Sequence, residues 1–381
     1  MPRIITVASG KGGVGKTNLS VNMALYIAQQ GYSTCLFDAD MGLANVDILM
    51  GIYPEYTLED VLLKKKKMKE IIVKPSLGID IIPGSSGVKM LADPEPEQVD
   101  YLIESLSELE NYDFFIFDTS AGISKSVISF CMASPEIVLV VTPEPTSLTD
   151  AYSLLKILCL NKFDSTVMIA INQCMSMEVA NKLYTKFKEV VKKYLKIDIF
   201  PLGTIPLDPH VAKAVKEQKP LISIFPNSDA AKGIKNIARY LISRGSTDIT
   251  DYDLNDFWPK CIEALNSDLI MSNNKKEKKP ETDSSQKDLP VEEKKKLREP
   301  EETSYGEPEI IESPVQDTKP DEVLIKDKKM DTGDIYKVLE GLVEGISTIS
   351  SELGAIRKII ENDSRRFSDK KPNTENLGPI A

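Results

Sequence analysis

From residue 1 to about Arg244, short and uniformly apolar β-branched runs alternate with longer stretches whose apolar residues recur every three or four positions. Runs of the first kind predict strands buried on both faces, and stretches of the second kind predict helices laid over them. The strand candidates are Ile4–Ala8, Thr34–Asp38, Ile79–Ile82, Phe114–Asp118, Ile137–Thr142, Val167–Asn172 and Ile199–Ile205. Between them fall helix candidates such as Lys16–Gln30, with Val21, Ala24, Leu25 and Ala28 on one stripe, and Ser147–Leu160. The alternation predicts an α/β fold built on a doubly wound, mostly parallel sheet.

Beyond Arg244 the pattern changes. Leu254, Phe257, Trp258, Cys261, Ile262, Leu265 and Leu269 share one helical stripe, so residues 251–271 predict an amphipathic helix that meets either a membrane surface or protein. Its charges (Asp253, Asp256, Lys260, Glu263, Asp268) are mostly acidic, which favours protein, because anionic lipid repels such a face. From 272 to 331, Lys, Glu, Pro, Asp and Ser dominate, and apolar burial cannot offset the entropy of ordering the chain; the prediction is a disordered charged linker. In 332–363, Ile335, Leu339, Leu342, Ile346, Ile349, Leu353, Ile356 and Ile360 repeat with four-three spacing, the period of a coiled-coil seam. A lone helix cannot bury that seam and Gly341, Gly345 and Gly354 weaken it, so the segment is expected to form against a partner helix whose identity is unknown. The predicted organisation is a domain at 1–250, the amphipathic helix at 251–271, the linker at 272–331, the heptad helix at 332–363 and a disordered tail at 364–381.

Charge and cysteine content narrow the classes. Of 381 residues, 47 are basic and 58 acidic, and the net charge of −11 argues against coating nucleic acid by charge alone. The five cysteines are scattered without a CxxC pair, so neither a disulfide framework nor a zinc or iron–sulfur site is indicated. MPRIITVASG runs straight into a strand with no signal core, and no window approaches 18 consecutive apolar residues, so the expected location is the cytoplasm, with peripheral contact at the inner face of the membrane left open. The run Lys64 to Lys67 reads as a solvated face.

The strongest chemical signal is Gly10-Lys11-Gly12-Gly13-Val14-Gly15-Lys16-Thr17, which satisfies GxxxxGK[ST] between a strand and a helix. Glycines let backbone N–H groups converge on phosphate oxygens, Lys16 reaches the outer phosphates and the Thr17 hydroxyl can ligate Mg²⁺. Lys11 is not needed to cradle phosphate in cis; a role across a dimer interface and a merely exposed lysine are both open on residue chemistry alone. Phe37-Asp38-Ala39-Asp40 closes the second strand with two carboxylates where open α/β sheets bind ligands, one able to hold Mg²⁺ or its waters and the other to orient an attacking water. Asp118, after Phe114-Phe115-Ile116-Phe117, has the Walker B arrangement, and Gly122 lets the backbone approach the terminal phosphate. Asn161-Lys162-Phe163-Asp164 spells the guanine-reading NKxD but follows a helix, so Asn172, which ends a strand, is better placed to meet a base. The sole histidine, His210, carries no expected catalytic role.

Taken together, KGGVGKT with its early lysine, FDAD and FDTSAG resemble the MinD/ParA class of deviant Walker A P-loop ATPases, over roughly Met1 to Arg244. DADMGLANVDILMG, DTSAGIS, VTPEPTSLTDAYSLLK and IPLDPHVAKAVKEQKP are similar to the FlhG/FleN group, MinD-like ATPases that control flagellar number and placement. The resemblance implies ATP and Mg²⁺ as cofactors, slow partner-stimulated hydrolysis and an ATP-dependent homodimer. It implies that Lys11 contacts the other subunit's nucleotide, that Lys16 and Thr17 contact phosphate and Mg²⁺, and that Asp40 positions water. By the same match, Asp38 and Asp118 serve the metal, Glu144 and Asp150 face the second subunit, and Asn172, Pro206 and Asp208 border adenine. A flagellar regulator or the GTPase FlhF is the implied partner, although the N-terminal extension that acts on FlhF in that group is expected to be missing here. The alternatives are ParA-like partitioning, MinD-like division-site placement, an adaptor with a structural nucleotide and, disfavoured by the cysteine pattern, metal-cofactor maturation.

Overall fold

The structure, a computed structural model, describes residues 2–244 and 252–271 apart from 41–44, 76, 85–96, 98–100, 102–103, 107–108 and 110. The predicted linker, heptad helix and tail lie outside the described residues.

All seven predicted strands form, as β1 (Arg3–Ser9), β2 (Thr34–Ala39), β3 (Asp80–Ile82), β4 (Phe114–Ala121), β5 (Glu136–Val141), β6 (Thr166–Cys174) and β7 (Ile199–Pro206). They make one sheet in the order β3-β2-β4-β1-β5-β6-β7, with every ladder parallel. From β1 the chain winds first toward β2 and later toward β5, so the loop after β1 opens at the crevice where the winding reverses. Strand β4 continues beyond Asp118, because Ala121 still pairs with Ser9 and the Thr119 hydroxyl donates to the Val7 carbonyl. Polar side chains concealed that extension from a hydrophobicity reading.

The helices are α1 (Lys16–Gln29), α2 (Val46–Met50), α3 (Leu58–Leu62), α4 (Met68–Ile71), α5 (Lys125–Ala133), α6 (Pro145–Leu160), α7 (Met177–Tyr194), α8 (Pro209–Lys216), α9 (Leu221–Ile224), α10 (Asp229–Arg244) and α11 (Leu254–Asn266). The strand period of two sorts side chains onto two faces. Ile116 of β4 joins the core under α1 and α10, whereas Phe115 and Phe117 join an aromatic cluster with Phe37, Phe130, Phe257 and Trp258. A third cluster fills the space between β5, β6, α6 and α7.

Helix α11 decides one question left by the sequence. Leu254, Phe257, Trp258 and Cys261 are buried, and Phe257 stacks on Phe117 at 4.4 Å between centroids with 7° between planes. The stripe that the sequence offered to a membrane or a partner is therefore spent within the chain, and α11 is part of the same packed body. Its acidic positions face outward, consistent with their charge. Beyond it, Asn161 accepts from the Ile270 N–H (3.0 Å) and donates to the Ile270 carbonyl (3.2 Å), so the NKxD asparagine is a tether and not a base reader. No helix among the described residues is long and apolar enough to cross a membrane.

Candidate functional site

The turn from β1 into α1 needs glycine for lack of space. A Cβ on Gly10 would stand 2.2 Å from the Asp150 carbonyl carbon in the backbone of α6. One on Gly15, whose φ of 85° is left-handed, would stand 2.3 Å from Asn172 Nδ2. Two neighbours thus press the loop formed by Gly10, Lys11, Gly12, Gly13, Val14 and Gly15 into shape. The loop crest is further held by Asn172 Nδ2 donating to the Val14 carbonyl (2.8 Å) and Gln173 Nε2 donating to that of Gly13 (3.3 Å). Gln173 was not singled out by the sequence. Helix α1 starts without a side-chain cap and without an acidic residue in its first turn, so its leading N–H groups and dipole suit an anion.

Behind the loop lies a buried carboxylate. Asp118 Oδ1 accepts from Ser20 Oγ (2.8 Å) and from Lys16 Nζ (3.4 Å), while Oδ2 is buried with no hydrogen-bond partner. Lys16 Nζ also donates to the Thr119 carbonyl. A buried anionic oxygen without a donor is costly and marks a place where water or a cation completes the shell. Together with the half-buried Thr17 at the helix start, these donors fit a magnesium ion held by a hydroxyl and, through water, a carboxylate.

Asp38, expected from the sequence to serve the metal, accepts hydrogen bonds at both carboxylate oxygens. Its Oδ1 accepts from the Asp40 N–H (3.0 Å), and its Oδ2 accepts from those of Asn45 (3.2 Å) and Val46 (3.3 Å). Both oxygens thus accept from backbone N–H groups, one from Asp40 just after β2 and the other from Asn45 and Val46 at the start of α2. Burial, and after it the Asp118 charge, pushes its carboxyl up to about 7 against the effect of those three donors. Asp40 follows β2 and is half-buried.

Beside the loop opens a cavity of about 290 Å³ that Gly15, Asn18, Asn172, Pro206, Leu207 and Asp208 help to line, so the three residues expected to border adenine meet at one cavity. The Asp208 carboxylate is occupied: it accepts from the N–H groups of His210 (2.9 Å) and Ala230 (2.9 Å) and faces His210 Nδ1 (2.7 Å). Burial opposes its charge, but these donors outweigh burial and hold the carboxyl down at about 2. Asp208 therefore fastens α8 to α10, and it meets the cavity as a wall.

Lys11 stands apart from its own cradle. Its ammonium is bound by Glu144 Oε2 (2.6 Å) and Thr146 Oγ1 (2.8 Å), at the junction of β5 with α6. Lys11 is half-exposed and Glu144 more so, so the pair is worth about 0–1 kcal/mol and is readily given up. Asp150, in α6, contacts the loop through its backbone at Gly10.

The site thus defines a P-loop nucleotide-binding protein with an extra lysine at the mouth. A ParA family model, described as NUBPL iron-transfer P-loop NTPase, matches residues 1–242. The antiactivator FleN of Pseudomonas aeruginosa is 39% identical over 238 residues, covering 62% of this chain and 85% of FleN. The flagellum site-determining protein YlxH of Helicobacter pylori is 33% identical over 268 residues, covering 69% of this chain and 90% of YlxH. Among solved structures, the septum site-determining protein MinD complexed with Mg-ADP from Pyrococcus horikoshii OT3 superposes with a TM-score of 0.53 at 25% identity, over 66% of this chain and all of that one. The chain belongs to the ParA/MinD family of P-loop NTPases.

Proposed function

We propose that this chain is an ATP- and Mg²⁺-dependent dimerisation switch with slow hydrolysis, and that it sets the number or position of flagella. The observation that carries the switch is Lys11, a cation at the nucleotide mouth that a weak surface pair keeps out of its own cradle. In a face-to-face dimer it exchanges Glu144 for the partner nucleotide, and the terminal phosphate supplies the contact that selects the dimer. Thr17 and Asp118 would hold Mg²⁺, and the ion when bound would neutralise charge on the phosphates. Lys16 leaves the Thr119 carbonyl for those phosphates, and Asp40 orients water.

The likeness to YlxH of Helicobacter pylori, a flagellum site-determining protein, supports the flagellar reading. A flagellar regulator or a flagellar GTPase of the FlhF kind is the proposed partner, with action in the cytoplasm at the inner membrane face. Burial of Leu254, Phe257, Trp258 and Cys261 leaves α11 little apolar surface to offer a membrane, which supports no more than a weak contact through that helix. The test is to count flagella per cell in a deletion strain carrying either the unsubstituted gene or Lys11→Ala. Loss of number control with Lys11→Ala supports the proposal. Normal flagella with misplaced septa or lost replicons would favour division-site placement or partitioning instead.

A further inference from the structure

The two oxygens of Asp118 are treated unequally, and the inequality has a single durable cause. Lys16 is a temporary partner: its contact with Oδ1 is 3.4 Å and shared with the Thr119 carbonyl, and it must abandon both to reach a phosphate. Ser20 is fully buried on α1, one turn beyond Thr17, and cannot follow the nucleotide. Its hydroxyl has one proton and two acceptors, the Lys16 carbonyl at 3.1 Å and Asp118 Oδ1 at 2.8 Å. The shorter, charge-assisted bond is the stronger. Once Lys16 has turned away, Ser20 is the remaining donor shown on Oδ1, while the orphaned Oδ2 is the oxygen left for a cation's water shell.

We propose that Ser20 is a positioning residue for the divalent cation, fixing the rotation of the Asp118 carboxylate so that Oδ2 serves the metal-bound water. The P-loop motif ends at Thr17 and assigns Ser20 nothing. The inference rests on the nucleotide reading of the loop and deepens it. Without the hydroxyl, both carboxylate oxygens lack a fixed donor in a buried site. The carboxylate is then free to turn, and the metal loses a preset ligand. The nucleotide itself, bound by loop N–H groups and the base cavity, is little affected.

The test uses the full chain and fluorescent N-methylanthraniloyl-ADP, titrated once in EDTA and once, at fixed nucleotide, with MgCl₂. For Ser20→Ala we expect nucleotide affinity in EDTA within twofold of the unsubstituted protein. The Mg²⁺ concentration giving half of the metal-dependent rise in affinity should increase about tenfold. A Mg²⁺ titration that superimposes on that of the unsubstituted protein overturns the proposal. So does an equal loss of affinity with and without metal, which would make Ser20 a fold element only. Should Ser20→Ala fail to fold, Ser20→Cys retains the volume with a weaker donor and must shift the Mg²⁺ midpoint in the same sense; an unshifted midpoint overturns the proposal equally. If the unsubstituted protein binds no nucleotide in either buffer, the P-loop reading has failed, a result distinct from all of these.

Discussion

The place of α11 in the folded body can be tested at Phe257. Its side chain is fully buried, stacks on Phe117 at 4.4 Å and lies 6.0 Å from Phe130 and 5.0 Å from Trp258. Pro259 sits inside the helix, so propensity cannot hold α11 in place and packing must do so. Phe257→Ala removes a fully enclosed ring, for which about 3–5 kcal/mol is the usual loss. Against a total stability of roughly 5–15 kcal/mol that is a large fraction. If α11 were a loosely attached appendage, the loss would have a low ceiling, because the variant would simply undock the helix and keep the rest. The chain has a single tryptophan, Trp258, on that helix, which makes the two cases separable. In urea, tryptophan emission reports α11 and far-ultraviolet circular dichroism reports the whole body. The expected result is coincident transitions in the unsubstituted protein and a shift of both by about 3–5 kcal/mol in Phe257→Ala. Tryptophan emission that changes well before the dichroism, or a loss below about 1 kcal/mol, would refute the assignment of α11 to the core.

Other perturbations test the site. Gly10→Ala places a Cβ 2.2 Å from backbone of α6, so the loop or the helix must move; calorimetry should show nucleotide affinity down more than about tenfold, and unchanged affinity would contradict the packing. Asp208 titrates at about 2 in the folded chain, below the usual value near ~3.9, so it stabilises the fold above that range and the contribution is lost as pH falls toward 2. Asp208→Asn should be less stable by about 2 kcal/mol at neutral pH, with the gap closing in acid; a gap of constant size from pH 7 to pH 2 would show that its hydrogen bonds do not depend on charge.

Much of this was legible in the sequence for identifiable reasons. A strand such as Phe114–Phe117 is apolar at every position because both faces are covered, and a glycine-rich loop before Lys16 has few other uses. What was hidden depended on partners distant in sequence. The stripe of α11 declares an apolar face but not what covers it, and only the fold brings Phe117 beneath Phe257. Asp38 and Asp118 look alike as strand-ending carboxylates, yet one is filled by the N–H groups of its own loop and the other keeps an oxygen bare. Ser20 and Gln173 carry no motif, and their importance lies in the contacts 98 and 160 residues away that they complete.

The most direct test of the account is the mass of the protein in solution with ATP and Mg²⁺, measured by light scattering alongside ADP and nucleotide-free samples. The account predicts a dimer with ATP and Mg²⁺ alone, reverting to monomer as hydrolysis proceeds, and a monomer throughout for Lys11→Ala. A mass indifferent to ATP, or an ATP-induced dimer that Lys11→Ala leaves intact, would contradict it.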